Sequence, residues 1–140
     1  MNPQDLAGRW TIVSWEQRYD DGRVVYPLGE RLAGFVHYDN GRMFLVLHKA
    51  ERPRFTTGGQ WNASDAEKAR AYDGYMSYGG TYAVEGDEVL HSVEYSLFPN
   101  WCGGVQRRRA ALKDGLLTLS ARLEDGTPEA RSANLVWRRA

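Results

Sequence analysis

The chain has 140 residues, with eighteen basic and eighteen acidic side chains that cancel to zero formal charge. This length predicts one domain, residues 1–140, large enough to bury a core without metal or disulfide staples. Balanced charge removes the electrostatic case for nucleic acid or an anionic membrane surface as partner. The single cysteine, Cys102, excludes an internal disulfide. Met1 to Asp5 lacks the charged and apolar regions of a secretion leader, and no apolar run approaches the roughly 18 residues of a spanning helix. A cytoplasmic protein is the expectation.

Residues 10–18 read as a first strand, with Trp10, Ile12 and Ser14 on one face and Thr11, Val13 and Trp15 on the other. Asp20-Asp21-Gly22 marks a hairpin turn, and residues 23–26 return until Pro27 stops them. Residues 34–39 and 42–48 flank Asn40-Gly41, the strongest short hairpin signal in the chain. In the second of these, Met43, Leu45 and Leu47 oppose Phe44, Val46 and His48, so cover on both faces is expected.

Residues 49–62 carry Pro53, Gly58 and Gly59 without periodicity and read as a loop. Ser64-x-x-Glu67 is a capping-box pattern, predicting a helix over 65–78 that ends at Gly79-Gly80. Ala66, Ala69, Tyr72 and Met76 form its apolar stripe, and Phe55, Tyr72, Tyr75 and Met76 are candidates for a lid. Further strands are expected over 81–85, 88–97, 105–112, 116–122 and 129–139. Nine or ten short strands with one inserted helix predict an all-β fold, an antiparallel up-and-down barrel whose closure removes exposed edges.

The stretch 89–112 carries the most chemistry. Val89, His91, Val93, Tyr95 and Leu97 alternate onto one face, and the strand breaks at Phe98-Pro99-Asn100-Trp101. Arg107, Arg108 and Arg109 follow in succession, so at least one guanidinium faces inward and needs an acceptor. Two registers are open: Gln106, Arg108 and Ala110 inward, or Val105, Arg107 and Arg109. The first alternates better and makes Arg108 with Gln106 the inward pair. Its structural alternative is an ion pair of the inward arginine with Glu16 or Glu94.

Two pieces of sequence together identify a resemblance. Leu6-Ala7-Gly8-Arg9-Trp10 with Val13-Ser14-Trp15-Glu16, and Ser96-Leu97-Phe98-Pro99-Asn100-Trp101 with Gly103 and Gln106-Arg107-Arg108, resemble the bacterial and fungal lipocalin-like domain family. The segments 21–29 and 52–55 are similar too, so the resemblance spans nearly the whole chain. It implies a calycin-type barrel with a central cavity, with Trp10 plugging the closed end and small-molecule binding assigned by fold. Such barrels also host cyclases and isomerases of natural-product pathways.

The candidate ligand-binding residues are Trp15, Tyr38, Tyr75, Tyr82, His91, Tyr95, Phe98, Trp101, Gln106 and Arg108. Ser14, Ser92, Ala110 and Ala133 are the small residues expected to leave space. The expected ligand is a small apolar molecule with a polar end, a carboxylate or carbonyl oxygen oriented by Arg108, Gln106, His91 and Tyr95. An enzyme is the alternative, with His91 or Tyr95 moving a proton and Arg108 stabilising an oxyanion. A third reading is an interaction module with a filled barrel. His91 has a structural reading as well, a core histidine bonded to Tyr95, an arginine or backbone. His37 and His48 read as surface or structural residues. Three scattered histidines make no metal site, no cofactor is expected, and no hydrolase, phosphate-loop or dinucleotide motif occurs.

Overall fold

A computed structural model describes all 140 residues. Nine strands run in chain order: β1 (Gly8–Tyr19), β2 (Val24–Val25), β3 (Leu32–Asp39), β4 (Arg42–Lys49), β5 (Tyr75–Glu85), β6 (Glu88–Ser96), β7 (Val105–Lys113), β8 (Leu116–Leu123) and β9 (Arg131–Arg139). Each pairs antiparallel with its neighbour in the order β2-β1-β3-β4-β5-β6-β7-β8-β9, and β9 returns to β1. The result is a closed eight-stranded barrel with β2 as an extra strand hydrogen-bonded to the far end of β1. Closure leaves every barrel strand paired on both sides, as the short-strand pattern predicts.

One end of the barrel is plugged. A short helix α1 (Pro3–Leu6), capped reciprocally by Asn2 and Asp5, drives Leu6 to full burial. The Trp10 indole donates to the Leu6 carbonyl at 2.9 Å, and the Arg139 guanidinium lies 4.1 Å over the Trp10 ring while donating to the carbonyls of Asp5 and Ala7. Val36, Leu45, Leu47, Val89, Leu117 and Trp137 join them in one continuous core, each inward at a period of two. Fully burying such side chains contributes about 1.5–3 kcal/mol apiece.

The second helix, α2 (Asp65–Asp73), begins at Ser64 as the capping box predicts, with Ser64 Oγ accepting from the Glu67 amide at 3.2 Å. It stops at Asp73, five residues before the expected end. Gly74 closes it through its N–H to the Arg70 and Tyr72 carbonyls. From Tyr75 onward the chain pairs with β4, which puts Met76 opposite Leu47 and Tyr78 opposite Leu45 inside the barrel. No residue of α2 is buried, so nothing apolar holds the helix beyond this point, whereas the strand gains ladder bonds and core contacts. Tertiary pairing outweighs helix propensity here.

Two bulges reset the alternation. On β1 the register passes from Ile12↔Trp137 to Ser14↔Val136, leaving Val13 as the extra residue and swinging Trp15 to the inner face opposite Leu135. On β6 it passes from Val93↔Gly80 to Tyr95↔Gly79, leaving Glu94 extra and turning Tyr95 outward. The second bulge depends on glycine: a Cβ on Gly80 would fall 1.9 Å from the Ser92 carbonyl oxygen and 3.0 Å from the Glu94 nitrogen. Both contacts are backbone and cannot rotate away. The expected cover outside β4 is not built: Phe44 is 45% exposed and its ring lies across the bare face of Gly79.

Because Gly80 meets fixed backbone, Gly80→Ala is expected to lower the unfolding free energy by about 3 kcal/mol, measured by urea denaturation. A change under about 0.5 kcal/mol would show that the two strands part without cost.

Candidate functional site

The unplugged half of the barrel holds a cavity of about 200 Å³. Its apolar wall comes from Trp15, Leu45, Met76, Leu119, Leu123, Leu135 and Trp137, and the small side chains of Ala121 and Ala133 open the space between them. Trp101, on the 3₁₀ turn formed by Pro99–Trp101, lies at the rim, edge-on to Tyr78 with ring centres 5.6 Å apart. Thus the proline-containing break between β6 and β7 carries an aromatic side chain to the mouth.

The floor is polar. His91 is fully buried, and both of its ring nitrogens are engaged: Nε2 with the Tyr38 hydroxyl and Nδ1 with the Tyr78 hydroxyl, each at 2.7 Å. Burial, and secondly the charge of Arg108, push the His91 pKa down to about 3, so the ring is neutral at physiological pH. Burial raises Tyr78 to about 12 and holds Tyr38 well above the usual tyrosine value, so both hydroxyls keep their protons. Tyr38 lies deeper, against the Tyr82 ring at 4.7 Å, and does not line the cavity; Tyr78 and His91 do.

β7 supplies the charge. Its register pairs His91 with Gln106 and Val89 with Arg108, which sets Gln106 and Arg108 on the inner face while Arg107 and Arg109 turn outward to Glu85, Glu88 and Asp87. The Arg108 guanidinium donates to Gln106 Oε1 at 2.8 Å and to the Arg107 carbonyl at 3.0 Å, and no carboxylate lies within 4.0 Å of it. Glu16 pairs with Arg18 instead, and Glu94 stands near Arg42. Arg108 is therefore a half-buried cation without a counter-ion, facing the cavity.

The remaining polar atoms of the wall are donors. The indole N–H groups of Trp15 and Trp137 are buried with no acceptor. The two amide oxygens present are taken, Gln106 Oε1 by Arg108 and Gln17 Oε1 by Arg131. No Asp or Glu lines the cavity. The site thus presents a cation without a counter-ion in an otherwise oily hollow.

Of the predicted ligand-binding residues, Trp15, His91, Trp101, Gln106 and Arg108 come together around the cavity. The others do not. Tyr95 is 73% exposed on the outside, turned there by the bulge at Glu94. Tyr75 stacks on His48 across the outer face, with Arg52 over its ring. Tyr82 lies toward the plugged end, its hydroxyl reaching the Pro3 carbonyl, and Phe98 is half-exposed against Trp101. Tyr38 sits beneath the floor. Of the lid candidates only Met76 lines the cavity, and it does so from β5; no part of the 50–62 loop does. Of the small residues proposed to leave space, Ala133 does so, while Ser14 and Ser92 face outward. Tyr78 also lines the cavity, from β5, although it falls in the span 65–78 whose sequence signals are those of a helix. Its signal was the alternation of Met76 and Tyr78 ahead of Gly79-Gly80, a pair that marks a bulge as readily as a helix cap.

No group of three His, Cys, Asp or Glu side chains is arranged to hold a metal ion, and Cys102 is a free, exposed thiol. No helix is long and apolar enough to cross a membrane.

The family profile described as lipocalin-like domain matches residues 7–140. The chain belongs to the lipocalin-like domain family. Over 103 residues this lipocalin-like chain is 29% identical to the non-reducing polyketide synthase PKS19 of Phaeosphaeria nodorum, a match covering 71% of the chain and 6% of the synthase. It is 34% identical over 67 residues to the 4'-hydroxy-3'-methoxypropiophenone carrier protein ppsC of Aspergillus oryzae, covering 42% of the chain and 60% of that protein. Among solved structures it is similar in fold to a lipocalin-like protein from Bacteroides uniformis, with a TM-score of 0.51 and 16% identity over 97% of this chain and 99% of the other.

The buried imidazole makes the lipocalin-like barrel acid-sensitive in a defined window. His91 titrates at about 6.5 when unfolded and about 3 when folded, so the unfolded chain binds the extra proton between these values. Its contribution is complete above pH 6.5 and is lost as pH falls, by about 2 kcal/mol at pH 5. Urea titrations between pH 7 and 5 should show that slope, and His91→Gln, though less stable overall, should lack it. Equal slopes in the two proteins would contradict the assignment.

Proposed function

We propose that this protein binds a small aromatic molecule of about one ring, apolar over most of its surface and ending in an acceptor oxygen such as a ketone or carboxylate. The carrying observation is the half-buried Arg108 guanidinium, which faces the cavity without a counter-ion in a lining that holds no Asp or Glu. A ligand oxygen that accepts from this cation makes a charge-assisted hydrogen bond, roughly twice as strong as one between neutral groups. Size supports the same class. An apolar cavity of about 150 Å³ accommodates benzene, and 200 Å³ adds room for a few substituent atoms. A relative named as a carrier of a substituted propiophenone, one aromatic ring with a ketone, fits this chemistry. The reading places the protein in the cytoplasm, where the lone exposed thiol of Cys102 suits a reducing compartment.

The cyclase or isomerase alternative draws support from the likeness to a polyketide synthase. The proton-moving groups it requires are poorly placed: Tyr95 is outside the barrel, and both nitrogens of neutral His91 are already bonded. The filled-barrel reading conflicts with the open half of the interior. Carriage is therefore the better reading of this floor.

Quenching of intrinsic tryptophan fluorescence provides the test, since Trp15, Trp101 and Trp137 line the hollow. Titration with 4'-hydroxy-3'-methoxypropiophenone is expected to saturate with one site, and Arg108→Met to weaken binding about tenfold or more while leaving the fold intact. Unchanged affinity in that variant would remove Arg108 from the account.

A further inference from the structure

The chain Tyr38, His91, Tyr78 contains three exchangeable protons, two on hydroxyls and one on the neutral imidazole. Its two hydrogen bonds use two of them. One proton is left over, and its position is set by which end of the chain can tolerate it. Tyr38 is fully buried, enclosed by the Tyr82 ring and the core of the plugged half, and His91 Nε2 is the only protein atom to which its hydroxyl is hydrogen-bonded. A proton turned away from that nitrogen would have no acceptor, whereas Tyr78, equally dependent on His91 for its one protein partner, lines the cavity.

We infer that Tyr38 donates to His91 Nε2, that His91 Nδ1–H donates to the Tyr78 oxygen, and that the Tyr78 hydroxyl proton is therefore held in reserve for the cavity. This inference deepens the binding reading above and rests on it for the ligand. Tyr78 is an obligate donor, so the oxygen that Arg108 attracts is also the oxygen that Tyr78 recognises. The preferred head group is an acceptor, a ketone or carboxylate. A head group that must donate to Tyr78 reverses every bond in the chain and strands the Tyr38 proton in the apolar end. Tyr38 and His91 are positioning residues: Tyr38 never touches the ligand, and it fixes the polarity of the group that does.

Two measurements test this on the full chain. In ¹⁵N-labelled protein without ligand at pH 7, long-range ¹H–¹⁵N correlation is expected to show His91 protonated at Nδ1 and bare at Nε2. The opposite tautomer would overturn the inference, whatever the protein binds. Acetophenone and α-methylstyrene then serve as probes of one shape that differ by C=O against C=CH₂. The ratio of their affinities is expected to favour the ketone and to fall about tenfold in Tyr78→Phe, with a partial fall in Tyr38→Phe, whose side chain lies outside the cavity. A ratio unchanged in Tyr78→Phe would overturn the inference. If neither probe enters the wild-type barrel, the binding reading fails, and the tautomer alone decides where the proton resides.

Discussion

A neutral imidazole at the centre of the barrel, bonded at both nitrogens, is the constraint on which this structure turns. Burying His91 without partners would cost several kcal/mol. The fold meets that cost with two tyrosines from different strands, Tyr38 on β3 and Tyr78 on β5. Fixing three polar side chains across β3, β5 and β6 divides the interior. Leu6 and Trp10 pack the plugged end shut, in one core with Val36 and Leu117; the hollow lies in the other half of the barrel. His91 and Tyr78 form the floor of the candidate site, and Tyr38 joins them to the core beneath.

The electrostatics follow from the same arrangement. Arg108 lies on the strand beside His91 without a counter-ion, because the outward arginines take the nearby carboxylates. Its field and the low exposure of the floor both disfavour protonation of the imidazole. A cation beside a histidine that stays neutral draws an anion or a carbonyl toward the floor rather than a second cation. Membership of the lipocalin-like family accounts for the barrel, while the Arg108 cation is what distinguishes its lining electrostatically.

The strand pattern, the two hairpin turns, the helix start at Ser64 and the inward pairing of Gln106 with Arg108 were all legible in the sequence, because each depends on neighbours along the chain or on simple alternation. Residues beyond a bulge were not. Trp15 reaches the cavity and Tyr95 leaves it for one physical reason, an extra residue in a strand that inverts every position after it. The apolar bulk at both Ile12 and Val13 hinted at the first bulge, and Gly79-Gly80 at the second, though that hint sits on the partner strand. Tyr78 was hidden differently: local helix signals ran into residues whose strand conformation is set by pairing with β4, a contact distant in sequence. The histidine was recognised as needing partners, but their identity rested on closure of the barrel.

The most direct measurement of the central claim is a crystal structure of the protein soaked with 4'-bromoacetophenone, located by the anomalous signal of bromine. The account predicts one molecule inside the barrel, its ring against Trp15 and Leu135, its ketone oxygen toward Tyr78 and Arg108, and bromine toward the mouth at Trp101. Bromine found only on the outer surface, or inside with the ketone pointing away from the floor, would contradict it.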